Sequence, residues 1–249
     1  MAATTPSKAA PAPGDRLTTM PPDSSSFGRL HSYIFSRPDL ETNLRNNPNA
    51  ILSAIDDYTA AQRMITFGLP KITKCRELLS QMDPPPKVLV ELGTYIGNSA
   101  IGWGEMLRSL NPTKAGCRVF TCELDPTFAS IARDLIDLAG LSDIVTVLEG
   151  AAAADSLRSL KTEGVVDKAD VLFFDHWQEA YLPDLKLCEE LQLLRKGSLV
   201  LADNTDVPGT PEYNAYLASG EGPVKYHNVP HETSAKNAKI VLASTVVDV

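Results

Sequence analysis

The sequence lacks the features that mark membrane, secreted and nucleic-acid-binding proteins. No run approaches the roughly 18 consecutive apolar residues of a membrane-spanning helix, and the first residues lack the apolar stretch of a secretory signal. The 4 cysteines show no C-x-x-C spacing, which suits neither a zinc finger nor a small disulfide scaffold. Lys and Arg number 23 against 31 Asp and Glu, and the net charge of −8 argues against nucleic acid as a partner. We therefore expect a cytoplasmic protein in a reducing compartment, bound to neither membrane nor nucleic acid.

The chain of 249 residues is long enough for one large domain, and its 43% hydrophobic content supports a sizeable core. Residues 1–26 are rich in Pro, Ala, Thr and Ser and cannot bury enough apolar surface to fold, so they are predicted to be a disordered tail. A transit peptide is the alternative, although Lys8 and Arg16 are few basic residues for one. Residues 27–249 are then predicted to form a single domain, in which the helical spacing of 27–83 indicates a helical cap.

From residue 87 onward, short apolar runs alternate with segments of helical periodicity. Strands are predicted at 87–92, 117–123, 144–148, 171–174 and 198–202. One of the helices between them is predicted at 182–194. Strands that alternate with helices form βαβ units with right-handed crossovers, which build a doubly wound α/β fold around a parallel sheet. Ligands of such sheets bind at the carboxyl ends of the strands, so the polar residues at those ends are the candidates for function.

A glycine-rich turn follows the first of these strands. Residues 91–99 are ELGTYIGNS; glycines let the backbone approach a ligand closely, and the start of the next helix offers free N–H groups. The spacing departs from the G-x-G-x-x-G of dinucleotide-binding turns, so a purely structural turn is an open alternative. Glu123, which ends the second strand, is placed to accept hydrogen bonds from both hydroxyls of a ribose. Together the turn and Glu123 favour a cofactor that contains a nucleoside.

Oxygen-bearing side chains follow the fourth and fifth predicted strands. Asp175 ends one strand, and Asp203 and Asn204 end the next. Two carboxylates and an amide oxygen suit a magnesium-type ion whose other positions go to water and substrate. These two strands are expected to be neighbours, which would let the side chains converge. The alternative is that the aspartates only cap loops and helices, which is a common role at strand ends.

Four blocks of the sequence together resemble the catechol O-methyltransferases. They are residues 93–99 (GTYIGNS), 175–184 (DHWQEAYLPD), 193–197 (LLRKG), and ADN with PG within 202–209. The resemblance covers about 64–209 and weakens on either side. It implies a seven-stranded, mostly parallel Rossmann-like sheet that binds S-adenosylmethionine and Mg²⁺. It also implies transfer of a methyl group to one hydroxyl of a catechol, a small aromatic diol.

The resemblance implies roles for individual residues. As cofactor contacts it implies Met64, Glu91, Gly93, Tyr95, Ser99, Glu123, Ala151, Asp175, His176 and Trp177. As metal ligands it implies Asp175, Asp203 and Asn204. For the substrate it implies Trp177, Asn204 and Pro208, together with Glu232 as a carboxylate that contacts the second hydroxyl. Met64 matches the family's methionine near the sulfonium only after a local shift of one residue.

The chain departs from the family at Gln178, where the family has a lysine that serves as general base. Glutamine cannot accept a proton, and loss of a general base costs about 10² to 10⁴ in rate. Three explanations are open: the metal alone acidifies the hydroxyl, Glu179 substitutes for the lysine, or the substrate ionises more readily than a simple catechol.

The departure at Gln178 also sets the competing hypotheses about function. The first is a Mg²⁺-dependent O-methyltransferase that acts on an ortho-dihydroxy aromatic, with Gln178 in the place of the catalytic lysine. The second is an S-adenosylmethionine-binding protein without transfer activity. A nicotinamide-dependent dehydrogenase is a third, disfavoured by the glycine spacing. Neither the substrate nor the oligomeric state follows from the sequence.

Overall fold

The computed structural model describes residues 26–236 and 238–249. Its strands are Val88–Leu92 (β1), Arg118–Glu123 (β2), Val145–Glu149 (β3), Val171–Phe174 (β4), Leu199–Ala202 (β5), Lys225–Glu232 (β6) and Ile240–Asp248 (β7). Its α-helices are Ser26–Phe35 (α1), Pro48–Gln62 (α2), Leu69–Ser80 (α3), Asn98–Leu110 (α4), Pro126–Leu138 (α5), Ala153–Thr162 (α6), Tyr181–Glu190 (α7) and Pro211–Ser219 (α8). The tail predicted at 1–26 lies outside the described residues, except for Ser26 at the start of α1.

All the strands belong to one sheet with the order β3-β2-β1-β4-β5-β7-β6. The pairs among β1 to β5 are parallel, whereas β7 runs antiparallel to both β5 and β6. This topology confirms the predicted seven-stranded, mostly parallel sheet. The order reverses between β1 and β4, and open α/β sheets bind ligands at such a switch point. The arrangement therefore brings the ends of β1, β2, β4 and β5 to one edge.

The sheet is covered on both faces, and successive strand residues alternate between two cores. Phe173 of β4 packs in the first core with α1 to α5, and Phe174 packs in the second core with α6 to α8. The segment predicted as a cap contributes directly to the first core, since Leu30, Ile34 and Ile51 are fully buried there. Each such side chain contributes about 1.5–3 kcal/mol when it is buried. The N-terminal helices are therefore an integral part of the layer that supports the ligand-binding edge.

The predicted strands agree with the observed ones to within one residue at each end. The helix predicted at 182–194 is too long, because α7 ends at Glu190 and Gln192 adopts a positive φ of 53°. Leu193 and Leu194 prolonged the apolar pattern, but they are buried in the second core from a loop. No helix in the described part of the chain is both long and apolar enough to cross a membrane.

Candidate active site

A cavity of about 890 Å³ lies at the carboxyl ends of β1, β2, β4 and β5. Its volume is in the range of small-molecule and cofactor sites. The predicted site residues that line it are Gly93, Tyr95, Ser99, Glu123, Ala151, Asp175, His176, Trp177, Gln178, Asp203 and Asn204. The fold therefore brings together the candidate cofactor residues and the candidate metal ligands in a single cavity.

Four predicted site residues do not line this cavity. Met64 does not line the cavity, whereas its neighbour Ile65, which is 72% exposed, does. Pro208 is exposed on the loop after β5, and Glu232 is exposed at the end of β6. Glu91 is fully buried in β1, beneath the glycine-rich turn.

The two glycines of the turn have structural reasons for their positions. Gly93 has a φ of +102°, and a Cβ on it would lie 2.3 Å from the backbone oxygen of Asp175. Gly97 has a φ of +84°, and a Cβ there would lie 2.9 Å from the Cβ of Ala132 in α5. The helix that follows begins at Asn98 without a side-chain cap, so its first N–H groups are available to an anion. The glycines thus determine the backbone conformation of the turn, while the uncapped N–H groups at the start of α4 can donate hydrogen bonds to an anion.

We expect Gly93→Ala to destabilise the fold by about 2–5 kcal/mol, because it combines backbone strain with a clash against the end of β4. Gly164→Ala is the matched control: Gly164 also has a positive φ, of +69°, but nothing lies within 4 Å of its added Cβ. Its cost should be limited to the strain, about 1–2 kcal/mol. Urea unfolding of both variants measures the difference, and equal losses would contradict the clash.

Glu123 is held rigidly at the end of β2. Its Oε2 accepts a hydrogen bond from the Tyr95 N–H at 2.7 Å, and its Oε1 accepts one from the Asp125 N–H at 2.9 Å. Burial raises the pKa of Glu123 above its usual value, and these backbone donors oppose that shift. Each carboxylate oxygen retains a second lone pair for a hydroxyl donor. Glu123 is therefore a fixed acceptor in the wall of the cavity.

A second carboxylate lies directly beneath the turn. Glu91 accepts a hydrogen bond at Oε1 from Trp103 Nε1 at 2.9 Å, while its Oε2 is buried without a hydrogen-bond partner. Burial is the main cause that raises the pKa of Glu91 to about 7.

His176 and Trp177 follow β4 and differ sharply in their environments. His176 Nε2 lies 2.8 Å from Asp184 Oδ2, and the imidazole stacks on the ring of Tyr181 with centroids 5.1 Å apart. Trp177 is 77% exposed at the cavity wall. A fixed imidazole and an exposed indole at one rim provide flat surfaces for aromatic ligands.

Asp203 forms a buried ion pair that the sequence analysis missed. Lys71 Nζ of α3 donates to both carboxylate oxygens, at 2.6 and 2.7 Å, and each residue is only 4% exposed. One signal was present in the sequence: Lys71 continues the helical stripe of buried Cys75 and Leu79 at four-residue intervals. A lysine in such a stripe needs a buried anionic partner.

Asp175 lies next to this pair and is not neutralised by it. Burial, followed by the charge of Asp203, raises the pKa of Asp175 well above its usual value, whereas Lys71 opposes the shift. No hydrogen bond to the Asp175 carboxylate is found among residues 26–236 and 238–249. The charge of Lys71 therefore does not fully compensate the ionised form of Asp175, and a bound cation would favour that form.

Asn204 begins the loop after β5 with a positive φ of 57°. Its Nδ2 donates to the Val207 carbonyl at 3.2 Å, which leaves Oδ1 as an acceptor. Asp206 anchors the same loop, because its Oδ2 accepts hydrogen bonds from the backbone N–H groups of Lys239 at 2.8 Å and Ile240 at 3.2 Å. The loop that carries Asn204 is thereby tied to the start of β7.

The candidate metal ligands are oxygen donors on two neighbouring strand ends. No group of three His, Cys, Asp or Glu side chains in the described part of the chain could hold a metal. Asp175, Asp203 and the amide oxygen of Asn204 would instead provide three hard oxygen donors, as a magnesium-type ion prefers. The chemistry of these three donors fits such an ion, although Lys71 Nζ already engages both oxygens of Asp203.

Gln178 lies at the start of a short 3₁₀ turn, Gln178–Ala180, and is partly buried in the cavity wall. Glu179 is exposed and does not line the cavity, which disfavours it as a substitute base. The position of the family's lysine is thus filled by a side chain that cannot take up a proton.

Comparison with known proteins places these features in a family. A methyltransferase-domain family model matches residues 90–205. The chain is 40% identical over 172 residues to mouse catechol O-methyltransferase. This alignment covers 69% of this chain and 62% of the mouse protein, so the chain spans less than two thirds of that relative. It is 47% identical over 132 residues to the pig enzyme of that name, covering 53% of this chain and 67% of the pig protein.

The fold has a counterpart among solved structures. An O-methyltransferase from Bacillus cereus in complex with SAH superposes with a TM-score of 0.63 at 23% identity, covering 80% of this chain and 91% of that one. At this identity the likeness concerns the fold, which is the doubly wound sheet described above. The 47% identity to the pig catechol O-methyltransferase, of which the chain covers 67%, shows that the chain belongs to the catechol O-methyltransferase family.

Proposed function

We propose that the protein is an S-adenosylmethionine- and Mg²⁺-dependent O-methyltransferase that acts on a catechol-like ortho-dihydroxy aromatic. The observation that carries this proposal is that Glu123 and the set of Asp175, Asp203 and Asn204 line the same cavity. One end of the cavity thus has an acceptor suited to a ribose, and the other has oxygen donors suited to a cation. A methyl donor and a diol could therefore meet inside it.

The cofactor end is supported by complementary groups. Glu123, fixed by two backbone N–H groups, would accept hydrogen bonds from the ribose hydroxyls. The uncapped start of α4 would receive the carboxylate of the methionine moiety. His176 and Ala151 line the wall where an adenine would lie. The SAH bound by the Bacillus cereus protein, S-adenosylhomocysteine, is the product form of this cofactor.

The substrate end would hold the diol through a cation and a flat wall. Asp175, Asp203 and Asn204 would bind Mg²⁺, which when bound lowers the pKa of a coordinated hydroxyl. Trp177 would pack against the aromatic ring. Methyl transfer from a sulfonium needs the acceptor oxygen in line, and holding both partners in one pose contributes several kcal/mol as effective molarity. The residues of this chain would chiefly bind and orient the reactants.

A second candidate function is cofactor binding without methyl transfer. Gln178 motivates it, because the lysine that would accept the hydroxyl proton is missing. The retained oxygen donors argue against it, since binding of the cofactor alone does not require Asp203 and Asn204 together.

The proposed reaction predicts formation of S-adenosylhomocysteine when the protein is incubated with S-adenosylmethionine, Mg²⁺ and a panel of catechols. We expect excess EDTA to abolish product formation and added Mg²⁺ to restore it, because the diol would be held through the cation. Monohydric phenols serve as the control substrates and should give no product. Cofactor binding measured by calorimetry, without turnover of any diol, would favour the second candidate; full turnover in EDTA would contradict the metal requirement.

A further inference from the structure

Lys71 has no role in the proposed reaction, yet it pairs with Asp203 within the candidate metal site. Lys71 Nζ donates to both oxygens of Asp203, so the ammonium group already engages both oxygens that a divalent cation would use. The ring of Phe67 lies on another side of the ammonium group, with its centroid 5.5 Å from Nζ. Lys71 is therefore enclosed, and only 4% of its surface is exposed.

The charges around Lys71 explain why it is tolerated there. The carboxyl groups of Asp175 and Asp203 are close enough to interact electrostatically, and Asp203 is buried, so that two negative charges there are unfavourable without a counter-charge. Lys71 supplies one positive charge, and a divalent cation would supply two. The ammonium group and the metal would thus compensate the same negative charge. Both bound together would place like charges close to one another at low dielectric.

We propose that Lys71 is a resident counter-cation that competes with the divalent cation for Asp203 and thereby sets the metal affinity of the site. This inference rests on the proposed function, because it assumes that Asp175, Asp203 and Asn204 hold the metal. Lys71 holds the Asp203 carboxylate in place while the cation is absent. It also weakens cation binding, so that a higher concentration of metal is needed to fill the site than the same donors would need without Lys71.

The test measures Mn²⁺ binding by electron paramagnetic resonance, without cofactor or substrate, in the parent and in Lys71→Met. Methionine has a similar length and no charge. We expect the Kd for Mn²⁺ to fall about tenfold or more, since a like charge beside the site is removed. In case Lys71→Met does not fold, Lys71→Gln keeps a hydrogen-bond donor toward Asp203 without the charge, and its Kd should fall in the same direction.

Lys74→Met is the matched control. Lys74 lies on the same helix, α3, but pairs with Glu77 at the surface, so its charge is screened by solvent. Its loss should leave the Kd within about twofold of the parent value.

An unchanged or higher Kd in both Lys71 variants would overturn the proposal, because Lys71 would then only support or orient Asp203. Binding by the variants but not by the parent would uphold it. If no form binds Mn²⁺, the inference fails, and methyl transfer by the parent in EDTA then decides separately whether the proposed reaction proceeds without metal.

Discussion

Asp203→Asn should lower kcat for methyl transfer at least about 10³-fold, because it removes the one carboxylate shared by the candidate metal site and the buried ion pair. The same change leaves Lys71 buried without an anionic partner, since asparagine accepts a hydrogen bond but carries no charge. Breaking a buried pair costs about 3–5 kcal/mol, and we expect the lower end because Asp175 lies close enough to offset part of the charge. Steady-state kinetics and urea unfolding measure the two effects.

The double variant Lys71→Met with Asp203→Asn separates stability from activity. Replacing both members of a buried pair by neutral groups is often neutral or stabilising, so most of the lost free energy of unfolding should return. Methyl transfer should not return, because the negatively charged carboxylate donor is still missing and an amide oxygen alone replaces it. If the double variant is as active as the parent, Asp203 is not part of the proposed site. If it is as unstable as Asp203→Asn alone, the ion pair is not the source of the instability.

Gln178→Lys should raise kcat on unsubstituted catechol about 10²-fold, the low end of what a general base supplies. The side chain at this position lines the cavity at the start of the 3₁₀ turn, so a lysine placed there can reach the substrate region. A catechol with an electron-withdrawing substituent ionises without help and should gain much less. Comparing kcat for the two substrates over a range of pH provides the measurement.

Gln178→Met is the control, since it matches lysine in length and carries no basic group. It should leave the preference between the two catechols as it is in the parent. An equal gain by Gln178→Met would indicate a packing effect, and no gain by Gln178→Lys on either substrate would mean that proton removal does not limit the reaction.

The fold and the two ends of the site could be predicted because they follow from local patterns. Apolar runs that end in Glu123, Asp175 or Asp203 mark strand ends, and a parallel sheet brings those ends to one edge. Gln178 could be singled out because it stands next to a distinctive His-Trp pair.

The missed features depend on contacts between distant parts of the chain. Lys71 and Asp203 are 132 residues apart, and no local pattern states which anion a buried lysine will meet. The predicted end of α7 is wrong because Leu193 and Leu194 continue the apolar pattern although they belong to a loop. Their side chains are buried in the second core by tertiary packing. The role of Met64 rests on the resemblance, which is weak at this end of the matched segment, and it is the neighbouring Ile65 that lines the cavity.

The anchoring of the loop after β5 has a consequence for how this family can diversify. Because Asp206 accepts hydrogen bonds from the backbone N–H groups of Lys239 and Ile240, the loop of residues 205–209 and the start of β7 depend on each other for their positions. A lineage that recruits a new substrate by altering residues 205–209 has to preserve an acceptor at position 206 or refit the start of β7 at the same time. Substrate range is then constrained by a strand that does not itself line the cavity.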